Sequence, residues 1–525
     1  MNILFVSAEN GALEGGKVGG IGDVVAELPP ALAELGNQIT VLTPSHGFLH
    51  KWNPDNRLLH RVGFLFRGYE YQADLFEIFP ENKSAGVRHL AIEHPLLASF
   101  DPFSGQPRIY TDDPPENPFA TDADRFALFC AAASSAVIKG MLGNIDRMHL
   151  HDWHAALIAY LRQYSRHCYE LKRIPTIFSI HNLGIQGIRP LRGHPSSLEA
   201  WFPETTCDWE TVADPRWPDC MNPMAVGIRL SDKVHTVSPS YALEIQKPGR
   251  KPEFYGGEGL DADLRRAGEQ GRLEGILNGC SYDDSRRKKC PGFSEMVSIF
   301  REDVLTWAGI KSSVDTAQFI AYARLLELEN RAGMPGIILC SVGRAVEQKM
   351  LLLRSAGSDG KSGLEALLDS LGEKGCFILL GSGDSVYEDF LSRMSSRRNN
   401  FIFLNGYSDR AARALYSAGD LFLMPSSYEP CGISQMLAMR EGQPCVVNRV
   451  GGLRDTVKHR ANGFSFEGKN LGEQVDAFIN TVAEAVRLKL SGSPEWDRIR
   501  RNAAESRFTW SRTAQQYMDK LYFPT

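Results

Sequence analysis

No stretch of this chain stays apolar long enough to cross a bilayer as a helix, which takes about 20 such residues, so no membrane role is expected. A secretion signal is lacking too. The first ten residues carry no basic leader and their apolar run stops at Glu9 and Asn10, so they read as a first strand. The ten cysteines include no Cys-x-x-Cys pair. A chain of 525 residues needs no disulfide staples, so free thiols and a cytoplasmic location are expected, with Cys130 and Cys340 as core residues in apolar runs. Basic excess is also missing: 58 Lys and Arg against 63 Asp and Glu give a net charge of −5, which argues against nucleic acid as a main partner. Finally, no Gly-x-Gly-x-x-Gly follows the first strand, which sets aside a dinucleotide oxidoreductase.

What the chain does have is length for two large domains and an alternation of short β-branched runs with longer helical ones. That pattern predicts parallel sheets covered by helices. In the first half, strands are expected at 2–9, 38–43, 147–151, 176–180 and 233–237, with helices at 23–35, 124–139 and 154–165. The second half repeats the theme, with strands at 337–342, 377–380, 401–404, 421–424 and 444–448 and helices at 364–371, 386–394, 410–417 and 434–441. The fold class is therefore α/β, two Rossmann-like doubly wound domains facing across a cleft: 1–272 with a C-terminal crossover of 508–525, and 273–507. Ligands of such sheets bind beyond the carboxyl ends of the strands. Residues 103–118, 190–220 and 247–272 read as surface loops, and 354–362 as a flexible insertion.

Five motifs fall at strand ends. The loop Gly15-Gly16-Lys17-Val18-Gly19-Gly20-Ile21-Gly22-Asp23 leads from a strand into a helix. Its backbone N–H groups and Lys17 suit a phosphate, although a flexible turn with a solvated lysine fits the same residues. His149-Leu150-His151-Asp152-Trp153-His154 has metal-ligand residue types, but no Cys or Glu cluster accompanies it. Asp152 equally suits a helix cap, or, with Trp153, the hydroxyls and ring face of a sugar. His181-Asn182 ends the next strand and is either structural or functional. Arg344 and Lys349 follow strand 337–342 and suit a diphosphate, or are plain surface charges. Glu429-Pro430-Cys431-Gly432-Ile433-Ser434 runs from a strand into a helix whose N–H groups favour an anion, with Glu429 placed to take sugar hydroxyls.

Together these residues resemble the bacterial glycogen synthase and plant starch synthase family, retaining glucosyltransferases with the two-domain GT-B fold. The likeness covers nearly the whole chain. It is carried by Lys17-Val18-Gly19-Gly20 with Asp23, His151-Asp152-Trp153-His154, His181-Asn182, Val237-Ser238-Pro239-Ser240-Tyr241, Ile276-Leu277-Asn278-Gly279 and Arg344 with Lys349. Gly381-Ser382-Gly383-Asp384, Glu429-Pro430-Cys431-Gly432, Gly451-Gly452-Leu453 and Phe508-Thr509-Trp510-Ser511 complete it.

The resemblance implies transfer of glucose from ADP-glucose, or else UDP-glucose, to the non-reducing end of an α-1,4-glucan, with retention of configuration. It implies no cofactor and no metal, and names no nucleophile. Asp152, His181, Arg344, Lys349 and Glu429 would be catalytic. The donor would be held by Lys17, Gly19, Gly20, Asn182, Asn278, Cys431, Gly432, Ile433 and Ser434, with Tyr407 stacked on its base. The acceptor would meet Glu9, Asp23, Asp152 and Trp153 on the N-terminal domain, and the two domains would close around the donor. Leu437 stands where many other retaining transferases have a second glutamate, as in the starch and glycogen branch. The chain departs from the family's pattern at Cys280-Ser281, which no tryptophan follows closely, and over 314–332. Alternatives are a transferase of this fold using a short oligosaccharide or small molecule, and a catalytically silent glucan-binding homologue.

Overall fold

The computed structural model describes residues 1–101, 105–111, 122–282, 291–310, 315–331 and 333–523. They form two compact units: Met1–Gly249 with Gly256–Ser281 and Thr509–Thr525, and Arg250–Tyr255 with Tyr282–Phe508. The boundary lies after Ser281 rather than at 272/273. Leu273–Gly275 is a strand that pairs with Val234–Thr236 and so belongs to the first sheet. Residues 250–255, expected in the first domain, belong to the second unit, where the Glu253 carbonyl accepts from Gln474 Nε2 at 3.1 Å.

The strands of the first unit are β1 (Asn2–Val6), β2 (Gln38–Pro44), β3 (Asn56–Phe66), β4 (Tyr69–Ile78), β5 (Val87–Glu93), β6 (Arg147–His151), β7 (Thr176–Ile180), β8 (Arg189–Pro190), β9 (Cys220–Met221), β10 (Lys233–Thr236) and β11 (Leu273–Gly275). Among the described residues nine of them make one sheet in the order β11-β10-β7-β6-β1-β2-β5-β4-β3. β8 and β9 pair separately. The run from β11 to β5 is parallel, and β4 and β3 add an antiparallel edge. From β1 the chain moves to β2 in one direction and later to β6 in the other. The β1/β6 junction is thus a topological switch point, where an open α/β sheet leaves a crevice for a ligand.

Helix Gly20–Glu34 buries Ile21, Val24, Val25, Leu28, Ala31 and Leu32, the i, i+3, i+4 spacing of one apolar stripe. The stripe shares a core with Trp510, Ala514, Tyr517, Leu521 and Tyr522 from the far end of the sequence. The expected C-terminal crossover is therefore present, and it completes the first unit's core. At residue 279 a side chain would run into the Trp510 backbone and ring, so glycine is required by close approach.

The second unit's strands are β12 (Ile337–Val342), β13 (Gly375–Gly381), β14 (Phe401–Asn405), β15 (Leu421–Met424), β16 (Cys445–Asn448) and β17 (Phe464–Phe466). All pair in parallel, in the order β14-β13-β12-β15-β16-β17. They are almost wholly buried, so they read as continuous apolar runs rather than alternating ones. Helices cover both faces: Phe293–Ile310, Thr316–Glu329 and Asp409–Ala418 contribute to one apolar cluster, and Glu347–Arg354, Gly363–Leu371 and Leu471–Leu490 to the other. The switch point here lies between β12 and β15. Residues 354–362 close on themselves, with Gly357 N–H donating to the Lys361 carbonyl and Ser358 N–H to Asp476 at 3.0 Å. No helix among the described residues is long and apolar enough to cross a membrane.

Candidate functional site

Two groups of side chains stand at the two switch points, one in each unit. In the first unit, Glu9 follows β1 and Asp152 follows β6. The Glu9 carboxylate is buried. It accepts from the N–H groups of Val18 and Gly19 at 2.8 Å, from that of Gly22 at 3.2 Å, and from Tyr110 Oη at 2.8 Å. The glycine loop thus does gather N–H groups onto an anion, but that anion is the chain's own glutamate. The Gly19 N–H is thus engaged within the protein, while Glu9 Oε1 accepts from Tyr110 alone among the described residues. Gly20 remains open, and Lys17 is half-exposed in an ion pair with Asp23 at 2.6 Å. Tyr110 was not singled out from the sequence, because it lies in a Pro-rich stretch that reads as a surface loop.

Asp152 adopts φ +54°, a left-handed conformation that costs a non-glycine residue energy and is held by its surroundings. The side chain does not cap its helix. It reaches across to the end of β7, where Oδ1 accepts from the His181 N–H at 2.7 Å and the Asn182 N–H adds a second bond. Burial foremost, with nearby Glu9 adding to it, lifts the Asp152 carboxyl to about 7 even though the two N–H groups oppose the rise. The same surroundings raise the Tyr110 phenol, through burial and then Glu9.

The histidines form a buried layer behind this carboxyl. His149 bonds Tyr522 Oη through Nδ1 and Ser179 Oγ through Nε2, each at 2.6 Å, and Ser179 Oγ meets His235 Nδ1 at 2.8 Å. His151 Nδ1 lies 2.9 Å from His181 Nε2. Burial holds all of them toward the neutral form, His181 at about 4 and His235 at about 3. Trp153, expected against a sugar face, is only 6% exposed and packs on His154 and Phe126, while a side chain at Gly187 would strike its ring. It is a core residue, a consequence of starting a helix that is buried almost all round. Asn278 is buried, and its Oδ1 has no partner among the described residues.

In the second unit, Arg344 and Lys349 follow β12 and Glu429 follows β15. Lys349 Nζ lies 2.7 Å from Glu429 Oε2, which also accepts from Ser426 Oγ at 3.1 Å. Arg344 is exposed, and no side-chain partner is found for it among the described residues. The Glu429 loop is fixed from three sides. Gln348 holds it through the Tyr428 carbonyl at 3.0 Å, Gly452 N–H donates to the Glu429 carbonyl at 3.1 Å, and Gln435 Nε2 donates to the Cys431 and Gly432 carbonyls. Gly432 has φ +77°, which turns the chain into helix Ser434–Arg440. Ile433 is its N-cap residue and Ser434 its first helical residue. Tyr407 is exposed on the loop after the edge strand β14 and donates to Asp409 at 2.7 Å. The structure therefore gathers Glu9, Lys17, Gly19, Asp23, Asp152, His181 and Asn182 at one switch point, and Lys349 with Glu429 at the other.

Residues 2–266 match the family described as starch synthase catalytic domain, and residues 336–505 match glycosyl transferases group 1. The glycogen synthase of Streptococcus equi subsp. zooepidemicus is 31% identical over 527 residues, covering 99% of each chain. That of Desulfitobacterium hafniense is 30% identical over the full length of both. Among solved structures, the catalytic domain of starch synthase IV from Arabidopsis thaliana, bound to ADP and acarbose, is 24% identical. It superposes with a TM-score of 0.74 and covers 99% of this chain and 98% of its own.

Proposed function

The chain belongs to the glycogen and starch synthase family, retaining glycosyltransferases of the GT-B fold, and from that premise we propose which residues carry the transfer and what they act on. The donor is a nucleotide-glucose, ADP-glucose before UDP-glucose, and the acceptor is the non-reducing end of an α-1,4-glucan. The observation that carries this reading is the Lys349–Glu429 pair at the second sheet's switch point, with Arg344 exposed between β12 and the helix that carries Lys349. As the glycosidic bond to phosphate breaks, negative charge builds on the departing diphosphate. Lys349, held by Glu429, and Arg344, once drawn onto the phosphate, are the cations that meet it, and such donors are each worth a few kcal/mol in a water-poor site. Glu429, pinned by Lys349 and Ser426, takes hydroxyls of the transferred glucose. Tyr407, with its ring exposed, stacks on the base, and the N–H groups at 431–434 face the donor. In the first unit Asp152, His181 and Asn182 border the reacting sugar, and Lys17 adds charge for the diphosphate.

The test is turnover by the purified chain with each donor, with and without glycogen. Radiolabel from ADP-glucose should enter glycogen-sized product. Labelled short oligosaccharides alone would favour a small-acceptor transferase, and no transfer from either donor would leave a glucan-binding homologue.

No metal is needed in this scheme, because fixed cations stand where a metal would otherwise neutralise phosphate. The strongest metal-like motif is also chemically engaged, since His149, His151, His181 and His235 bond one another, Ser179 and Tyr522. Activity is expected to survive exhaustive chelation. Loss with EDTA, restored by one divalent ion, would refute this.

A further inference from the structure

The contact between His151 and His181 fixes more than a position. Among the described residues, His151 Nδ1 meets His181 Nε2 at 2.9 Å, and the other ring nitrogen of His151, Nε2, is buried without a partner. A neutral imidazole carries one N–H and one lone pair. If the proton of His151 sat on Nε2, a buried N–H would be orphaned, whereas a buried lone pair without a donor is the more tolerable defect. The proton therefore belongs on His151 Nδ1, which donates to His181 Nε2. That nitrogen must then be a lone pair, and the proton of His181 is left on Nδ1. No partner for His181 Nδ1 is found among the described residues, and it is not one of the sealed-off polar atoms.

The plane of the His151 ring is held by its neighbours. It stacks on His149 with centroids 4.6 Å apart and planes 15° apart, and it packs on Phe5 at 5.0 Å. His149 is itself tied at both nitrogens, to Tyr522 and Ser179. Both His151 and His181 are held neutral by burial, so the tautomer and not a charge is what the pair transmits.

We propose that His151 is a positioning residue that sets the tautomer of His181, so that His181 presents an Nδ1–H donor to a hydroxyl of the transferred sugar. This rests on the reading above that His181 borders the donor glucose. In ¹⁵N-histidine-labelled full-length chain, long-range ¹⁵N–¹H correlation should show His181 as the Nδ1–H form, with the assignment made by its loss in His181→Gln. His151→Phe keeps a ring but donates nothing. It should lose that tautomer preference and lower kcat about tenfold with the glucan KM unchanged. His151→Asn, whose amide N–H can occupy the Nδ1 position, should restore most of both.

An Nε2–H form of His181 in the wild type would overturn the proposal. So would a folded His151→Phe chain with unchanged tautomer and turnover. If His151→Phe fails to fold, the wild-type spectrum and His151→Asn still decide. The spectrum does not depend on turnover, so an inactive wild type would refute the functional reading and leave the tautomer assignment standing.

Discussion

Arg344→Ala and Lys349→Ala are each expected to cut kcat/KM by on the order of 2 kcal/mol or more, roughly thirtyfold or beyond, as for other charge-assisted contacts in closed sites. The two variants should differ in everything else. Arg344 is exposed and has no side-chain partner among the described residues, so its removal should leave the melting temperature unchanged. Lys349 is paired with Glu429, which is only 7% exposed. Removing the lysine strands a buried carboxylate, a change that typically costs about 3–5 kcal/mol. Lys349→Ala should therefore also lower stability. Steady-state kinetics with thermal melts check both, and near-normal turnover by a folded variant of either would remove its assigned role.

Asp152→Asn should be the second large loss. Asparagine is among the residues that best tolerate φ near +54°, so the backbone turn should survive. The carboxylate, however, receives two N–H groups from the end of β7, and an amide turns a donor toward one of them. The His181-Asn182 turn should shift, and kcat should fall about a hundredfold, the size of losing one oriented donor in an active site. The pH dependence has a definite sign. The folded carboxyl is raised to about 7 by burial, above its ordinary value of 3.8. The fold thus favours the protonated form. Asp152's contribution is fully present below the ordinary value and is lost as pH rises toward 7 and beyond. The buried histidines add stability as pH rises in both chains, so the test is the difference: from pH 4 to 8 the wild type should lose stability relative to Asp152→Asn. Parallel pH profiles in the two chains would mean that Asp152 does not titrate in this way.

Most strand ends and the glycine loops were legible because period and punctuation mark them: β6, β7, β12 and β15 fall where the pattern puts them, while β1 stops at Val6 rather than running on to residue 9. The β3–β4 hairpin was not. Its turn is Arg67-Gly68 with φ +54° and +75°, and arginine is not a residue that announces a left-handed turn. Both strands are also half-exposed, so their alternation is weak. The helices Asp261–Glu269 and Leu471–Leu490 carry weak sequence signals, the first being rich in charge and glycine like a surface loop. At the site, residue identity was legible and partnership was not. Glu9 reads as a ligand for sugar, and nothing in the sequence shows that its carboxylate receives four donors of its own. Trp153 reads as a sugar platform until its neighbours cover it.

The packing of residues 510–522 into the first unit has a consequence for biosynthesis. Translation makes the first 249 residues early, yet the aromatic side chains that finish their core are made only after the whole second unit. Until then helix Gly20–Glu34 lacks its cover, and His149 lacks the Tyr522 hydroxyl that orients it. The first unit must wait in an incomplete state while the second, whose core draws on one nearly continuous stretch, can fold to completion as it emerges. The order of maturation is thus the reverse of the order of synthesis, and the layer of histidines behind Asp152 is among the last parts of the molecule to be assembled.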